Sequence, residues 1–101
     1  MEPVTKPVKL RAAARVEYDA AGDWYESQRP GLAATFTAAV QQVFDRIASQ
    51  PQLHAVVVRD VRKAVVRGFP YCVYYRERPT AVVVLSVFHT SRDPAVWQRR
   101  T

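Results

Sequence analysis

Apolar positions change their spacing part-way along the chain, recurring at three- and four-residue intervals up to about residue 50 and then at intervals of two, or in unbroken runs, over residues 61–88. In 12–28 the residues Ala14, Tyr18, Ala21, Trp24 and Tyr25 form one apolar stripe, while Arg15, Asp19, Asp23 and Glu26 fall mostly outward, which predicts an amphipathic helix. Gly22 is its weak point, at a cost of about 1 kcal/mol relative to alanine. Arg29-Pro30-Gly31 interrupts the pattern. A second helix over 32–50 sets Leu32, Phe36, Val40, Val43 and Ile47 on one face and is stopped by Pro51. So short a connection makes an antiparallel helical hairpin, whose joint apolar stripe is buried only by lying on a sheet.

Three runs supply that sheet. Residues 61–67, 71–77 and 82–88 are rich in β-branched and aromatic side chains, and Gly68-Phe69-Pro70 and Arg78-Pro79-Thr80 separate them with turn chemistry, so they predict an antiparallel meander. Alternation in the first run puts Val61, Lys63, Val65 and Arg67 on one face and Arg62, Ala64 and Val66 on the other. The third run has no polar face, as expected of a strand covered on both sides. Its Val83, Leu85 and Val87 are expected to meet the apolar face of the second helix.

Residues 6–11 (KPVKLR) alternate basic and apolar side chains and fit a fourth strand, with Pro3 and Pro7 suited to an edge or a strand start. Residues 51–60 are read as a connecting loop, although 55–58 (AVVV) is apolar enough for an extra edge strand. Residues 94–100 predict a single helical turn anchored by Trp97. The expected fold is α+β in the order β-α-α-β-β-β: a four-stranded antiparallel sheet with the helical hairpin on one face, one domain over 1–101.

Composition adds two things to this picture. With 49% apolar and 24% charged residues the chain can bury a modest core without staples, and its single cysteine, Cys72, offers neither a disulfide framework nor a metal-ligand cluster. A reducing cytoplasm is the expected compartment, since no apolar run reaches membrane-spanning length and residues 1–11 lack the apolar core of a signal peptide. The net charge of +6 is unevenly placed. Up to Ala55 six Lys/Arg balance six Asp/Glu, whereas beyond it nine face three, so the excess lies in the meander half. Such charge attracts polyanions, whether nucleic acid, a ribosomal surface or an acidic protein, though scattered surface arginines also serve solubility alone.

No Gly-rich phosphate loop, nucleophile signature or close carboxylate pair in the meander supports most enzyme classes, and no cofactor is implied. One constellation remains: His89, Thr90, Ser91, Arg92 and Asp93 directly follow the third run, with Lys63, Arg67 and Tyr75 on its neighbours. A histidine able to act as acid or base beside arginines that stabilise phosphorane-like charge has the chemistry to cleave RNA. The plainer alternative is an Arg92–Asp93 ion pair at the strand end, with His89 capping a backbone carbonyl. Tyr71, Tyr74 and Tyr75 read as packing residues, and Cys72 as a small buried hydrophobe.

Several segments in order resemble a known family: VKL before an alanine-rich helix, YESQRPGLAATF over 25–36, the helix end at 47–51, VRKAVVRGFPYCVYYR, and VVVLSVFHTSRDPAVW. Together they are similar to the RelE/ParE superfamily of toxins from type II toxin–antitoxin modules, over nearly the whole chain. The resemblance implies a helical hairpin on an antiparallel sheet and a cognate antitoxin that wraps the toxin in a hetero-oligomer.

Activity divides within that superfamily. RelE-like members cut mRNA on the ribosome, and ParE-like members, associated with plasmid stabilisation and growth arrest, inhibit DNA gyrase. RelE-like nucleases carry a basic residue after the first tyrosine of the third-strand motif, where this chain has Cys72, and two basic residues two apart on the preceding strand, where Lys63 matches one and Val65 replaces the other. The HTSRDP segment resembles ParE-like endings. The resemblance therefore favours a ParE-like gyrase inhibitor, with a ribosome-dependent nuclease as the alternative and an antitoxin-binding module without toxicity as a third. As a nuclease the chain would use Lys63, Arg67, His89 and Arg92; the candidates for target or antitoxin contact are Arg62, Lys63, Arg67, Tyr75, His89, Arg92 and Trp97.

Overall fold

The computed structural model describes residues 5–101, so the reading of Pro3 lies outside the described residues. Along the chain run β1 (Val8–Leu10), α1 (Ala12–Gln28), α2 (Leu32–Ser49), β2 (Val56–Val58), β3 (Val61–Val65), β4 (Tyr71–Glu77), β5 (Val82–His89) and α3 (Ala95–Gln98). The strands form one five-stranded sheet in the order β1-β5-β4-β3-β2. The α1–α2 hairpin covers one face, called here the hairpin face, and α3 lies on the other.

Two expectations about the sheet are corrected. It has five strands and is mixed, because β1 runs parallel to β5, with Val8 opposite Val82 and Leu10 opposite Val84. The direction follows from α1, which begins one residue after β1 and crosses β5 to bury Ala14 and Ala21. Residues 51–60 are not all loop: Val56–Val58 pairs antiparallel with β3 through a tight turn in which Arg59 takes φ 50°. β2 is a short edge, with Val56 and Val57 exposed.

The hairpin turn compensates for a missing cap. Gly31 precedes α2 with φ 88° and has no side chain to offer, so the Glu26 carboxylate accepts from the backbone N–H of Gly31 at 3.1 Å and of Ala33 at 3.2 Å. Orphan N–H groups at a helix start are thereby satisfied by an anion at the positive end of the dipole.

A bulge sorts β5 into two cores. Tyr74 opposes Ser86 while Tyr75 opposes Val84, leaving Leu85 as the extra residue. Val82, Val84 and Val87 consequently share the hairpin face with Phe36, Val40, Val43 and Ile47, whereas Leu85 and Phe88 join Val61, Cys72, Tyr74 and Trp97 on the other. Of the expected partners of α2 only Val87 is on its side; Val83 and Leu85 point away from it. Trp24, expected in the α1 core stripe, is exposed.

The segment between α2 and β2 is pinned from the sheet. Tyr75 Oη donates to the Pro51 carbonyl at 2.8 Å, and Arg62 Nη1 donates to the His54 carbonyl at 2.6 Å. The His54 ring stands edge-on to Tyr75, its Nε2 buried with no partner among the described residues, and burial followed by the charges of Arg46 and Arg62 lowers its pKa from 6.5. The unfolded chain therefore binds this proton more readily than the folded one, so His54 costs nothing well above pH 6.5 and draws stability down as pH falls from there. Urea titrations between pH 8 and 5 should show that decline, and His54→Gln should flatten it; an equal decline in His54→Gln would assign it to another group.

Candidate functional site

β1 pairs only with the first part of β5, Val82 to Val84, after which the Arg11 N–H bonds the Val84 carbonyl and the chain turns into α1. Beyond that point the outer edge of β5 has no strand beside it among the described residues. An unpaired edge is filled here by side chains. Glu17 reaches down from α1 and its Oε1 accepts from the Val87 N–H at 3.3 Å and from Ser86 Oγ at 2.8 Å, while Arg100 Nη1 donates to the Leu85 carbonyl at 3.1 Å. Glu17 and Arg100 close on each other at 2.8 Å, and Arg92 adds a longer contact at 3.4 Å. The ion pair occupies the place of a sixth strand.

Above this clamp, α1 and the β5 edge enclose a groove of about 590 Å³, lined on the helix side by Ala13, Val16, Ala20 and Trp24 and on the sheet side by Tyr71, His89, Arg92 and Arg100. Val16 and Trp24 are 67% and 57% exposed, large values for apolar side chains on a packed helix. At one end the groove runs into a recess of about 340 Å³ between Trp24, Tyr25, Tyr71, His89, Ser91 and Arg92.

His89 is the last residue of β5 and sits opposite Tyr71 on the hairpin face, with the two rings edge-on at 5.1 Å. Its Nδ1 accepts from the Ser91 N–H at 3.1 Å and lies 2.7 Å from Ser91 Oγ, so in the neutral ring Nε2 carries the proton. Burial, then the neighbouring Tyr25, raises the pKa of Tyr71. The expected Arg92–Asp93 pair is replaced by two other contacts. Arg92 turns to Glu17 and lies 5.2 Å from the centre of the Phe88 ring, while Asp93 Oδ1 accepts from the Ala95 N–H at the start of α3. His89 caps no carbonyl; its ring nitrogen receives the bond instead.

The other sequence candidates do not gather around His89. Lys63 is exposed on the opposite face, because it pairs with Tyr74, whose ring stacks on Trp97 at 3.8 Å. Arg67 follows β3 and stands against α2 beside Ala38 and Gln42. Three candidates for target or antitoxin contact have side chains engaged within the protein. Tyr75 is fully buried and bonded to Pro51, Trp97 projects from α3 and is buried against the sheet, and the Arg62 guanidinium holds the carbonyls of Gln52 and His54. Cys72 is buried, and desolvation raises its thiol pKa despite the nearby Lys63. Among the described residues no group of three or more His, Cys, Asp or Glu could hold a metal ion, and no helix is long and apolar enough to cross a membrane.

Sequence reasoning missed Glu17, Arg100 and Val16. For Val16 a signal was present: Ala13, Val16, Ala20 and Trp24 form a second apolar stripe on α1 beside the buried one. Nothing local marks Glu17 and Arg100 as a pair 83 residues apart.

Comparison with known proteins bears on the whole of this arrangement. Residues 8–94 match the family described as the ParE toxin of the type II toxin–antitoxin system parDE. Among solved structures the chain is similar to one from the chromosomal ParDE toxin–antitoxin system of P. aeruginosa, at 16% identity and a TM-score of 0.74, over 86% of this chain and 98% of that one. No curated protein matches. The family match covers every element from β1 to the end of β5, the strands and hairpin that build the groove included, and on it the chain belongs to the ParE toxins of type II toxin–antitoxin systems.

Proposed function

We propose that this toxin acts by binding, inhibiting DNA gyrase and hence replication, and that its cognate antitoxin neutralises it by covering the basic half of the molecule. The observation that carries the reading is the separation of Lys63 from His89. A phosphoryl-transfer site needs its proton-transfer group and its cations around one phosphate, and here the strand pairing sets one on each side of a sheet. The residue that would add charge beside Lys63 is Val65, and Cys72 is a buried thiol. Arg92 is the only one of the other three nuclease candidates that lines the groove with His89, and Glu17 already occupies it. A cytoplasmic site of action accords with such a target.

Production of the chain alone should arrest growth, and co-production of the protein from the adjoining reading frame should restore it. The purified toxin should block supercoiling by gyrase and leave ribosome-bound mRNA intact. A general base at His89 would be worth about 10²–10⁴-fold, so His89→Ala separates the mechanisms. Supercoiling inhibition by His89→Ala within about threefold of the wild type supports binding. Defined 5′ mRNA fragments that vanish in His89→Ala would instead establish the ribosome-dependent nuclease. A folded chain with no effect on growth would leave only antitoxin binding.

A further inference from the structure

The side of the sheet that carries α3 holds cations that nothing beside them neutralises. Lys9 stands opposite Val83, between Val8 and Leu10, which pack toward the hairpin; its side chain is therefore on the α3 side, as is that of Lys63, and both are exposed. Arg99, directly after α3, is exposed as well. None of the three has an ion-pair partner among the described residues. The side-chain carboxylates nearby are engaged: Asp60 pairs with the buried Arg76 at 3.1 Å, and Asp93 accepts from the Ala95 N–H. The exposed Asp19, Asp23, Glu26 and Asp45 belong to α1 and α2, across the sheet. An anionic partner approaching the α3 side therefore meets attraction without a free carboxylate to oppose it.

Shape narrows the kind of anion. Lys9 is on β1 and Lys63 on β3, three strand spacings apart, or about 14 Å across the sheet. Between them Trp97 packs with Leu85 and Phe88 of β5 and stacks on Tyr74 of β4 at 3.8 Å, so α3 forms a ridge on the two intervening strands, with Gln98 and Arg99 exposed. A helical ridge flanked by cations at that separation fits the major groove of B-DNA, about 12 Å wide with phosphates along both rims. A-form RNA has a major groove too deep and narrow to admit it. Single strands are held by stacking bases on exposed rings, and the aromatic rings of this side, Tyr74, Phe88 and Trp97, are all buried.

We propose that the α3 side of the toxin binds duplex DNA without sequence preference, α3 entering the major groove while Lys9 and Lys63 contact phosphates on its two rims and Arg99 adds a third contact. The inference goes beyond the inhibition of gyrase and does not depend on it, because the partner is the naked duplex. Such binding concentrates the toxin on the polymer that a supercoiling enzyme acts on.

The test is fluorescence anisotropy of a short labelled DNA duplex of mixed sequence, titrated with the purified toxin. With three phosphate contacts the affinity should fall about 40-fold between about 50 and 200 mM salt. Lys9→Gln, Lys63→Gln and Arg99→Gln should each weaken binding about tenfold at the lower salt and reduce the salt slope by about one contact. Arg29→Gln removes an exposed cation from the connection between α1 and α2, lowers the net charge equally, and should stay within about twofold. If Lys9→Gln disturbs the three-residue β1, Lys63→Gln and Arg99→Gln carry the comparison. No binding to the duplex at low salt would overturn the proposal. An equal loss in Arg29→Gln would overturn it too, since net charge alone would then account for the binding. Single-stranded DNA, duplex RNA or polyglutamate bound as tightly as the DNA duplex would assign the face to a different polyanion and overturn the fit to the groove.

Discussion

Phe36→Ala is expected to lower stability by roughly 3–5 kcal/mol, the range for deleting a buried aromatic ring from a core. Phe36 is fully buried in the second turn of α2, with ring centroids 5.0 Å from Tyr25, 5.2 Å from Phe69 and 5.2 Å from Tyr71. It thus joins α1, α2 and the start of β4 in one aromatic cluster, and no neighbour is small and flexible enough to fill the space it would leave. A loss of that size is a large share of the roughly 5–15 kcal/mol that holds a domain folded, so the variant should be scarcely soluble. Leu32→Ala, at a half-buried position in the first turn of α2, should cost less. Denaturant titration checks both, and a loss below about 1 kcal/mol for Phe36→Ala would mean that the cluster does not hold the hairpin to the sheet.

The α2 face that contains Phe36 was legible because five apolar residues recur at helical spacing and one buried surface explains them all. β4 was legible with its bounds, since tight turns flank it. Register within the sheet was not. Val82 to Phe88 is apolar apart from Ser86, so the sequence contains no alternation from which to learn that Leu85 is bulged and that Val84 and Val87 therefore share a face. The reading that set Leu85 against α2 failed for that reason. β2 failed differently: three valines beside a loop satisfy either description until β3 is known to lie next to them.

Trp24 illustrates a third limit. Its spacing from Tyr18 and Ala21 places it near the core stripe, yet α1 carries two adjacent apolar stripes, and sequence alone does not say which one the protein covers with itself. At the candidate site His89 and Arg92 were legible as types at a strand end. What they face was not, because Glu17 comes from α1 and Arg100 from the end of the chain, and neither belongs to a local motif.

That clamp leads to the other large effect. Glu17→Ala is expected to cost about 2–4 kcal/mol, because it strips the Arg100 guanidinium of its carboxylate, leaving it the Leu85 carbonyl, and leaves Ser86 Oγ and the Val87 N–H without their acceptor at a place where Glu17 itself is only 10% exposed. The upper end of the range for a broken buried pair is not reached, since Arg100 retains 22% exposure and can turn to water. Glu17→Gln preserves an acceptor for Ser86 and Val87 while losing the charge opposite Arg100, and should recover part of the loss. Arg92→Ala, at an exposed and longer contact, should stay below about 1 kcal/mol. Hydrogen exchange distinguishes the clamp from a general loosening: the Val87 amide should be released in Glu17→Ala by more than the global stability change accounts for, while the Val73 amide in central β4 follows that change alone. With the clamp gone, the outer edge of β5 offers Leu85 and Val87 to any passing strand, so Glu17→Ala should also aggregate more readily than a variant of equal stability altered in the core. Equal exchange at Val73 and Val87, together with no excess aggregation, would show that Glu17 and Arg100 are an ordinary ion pair and that the β5 edge is protected by something else.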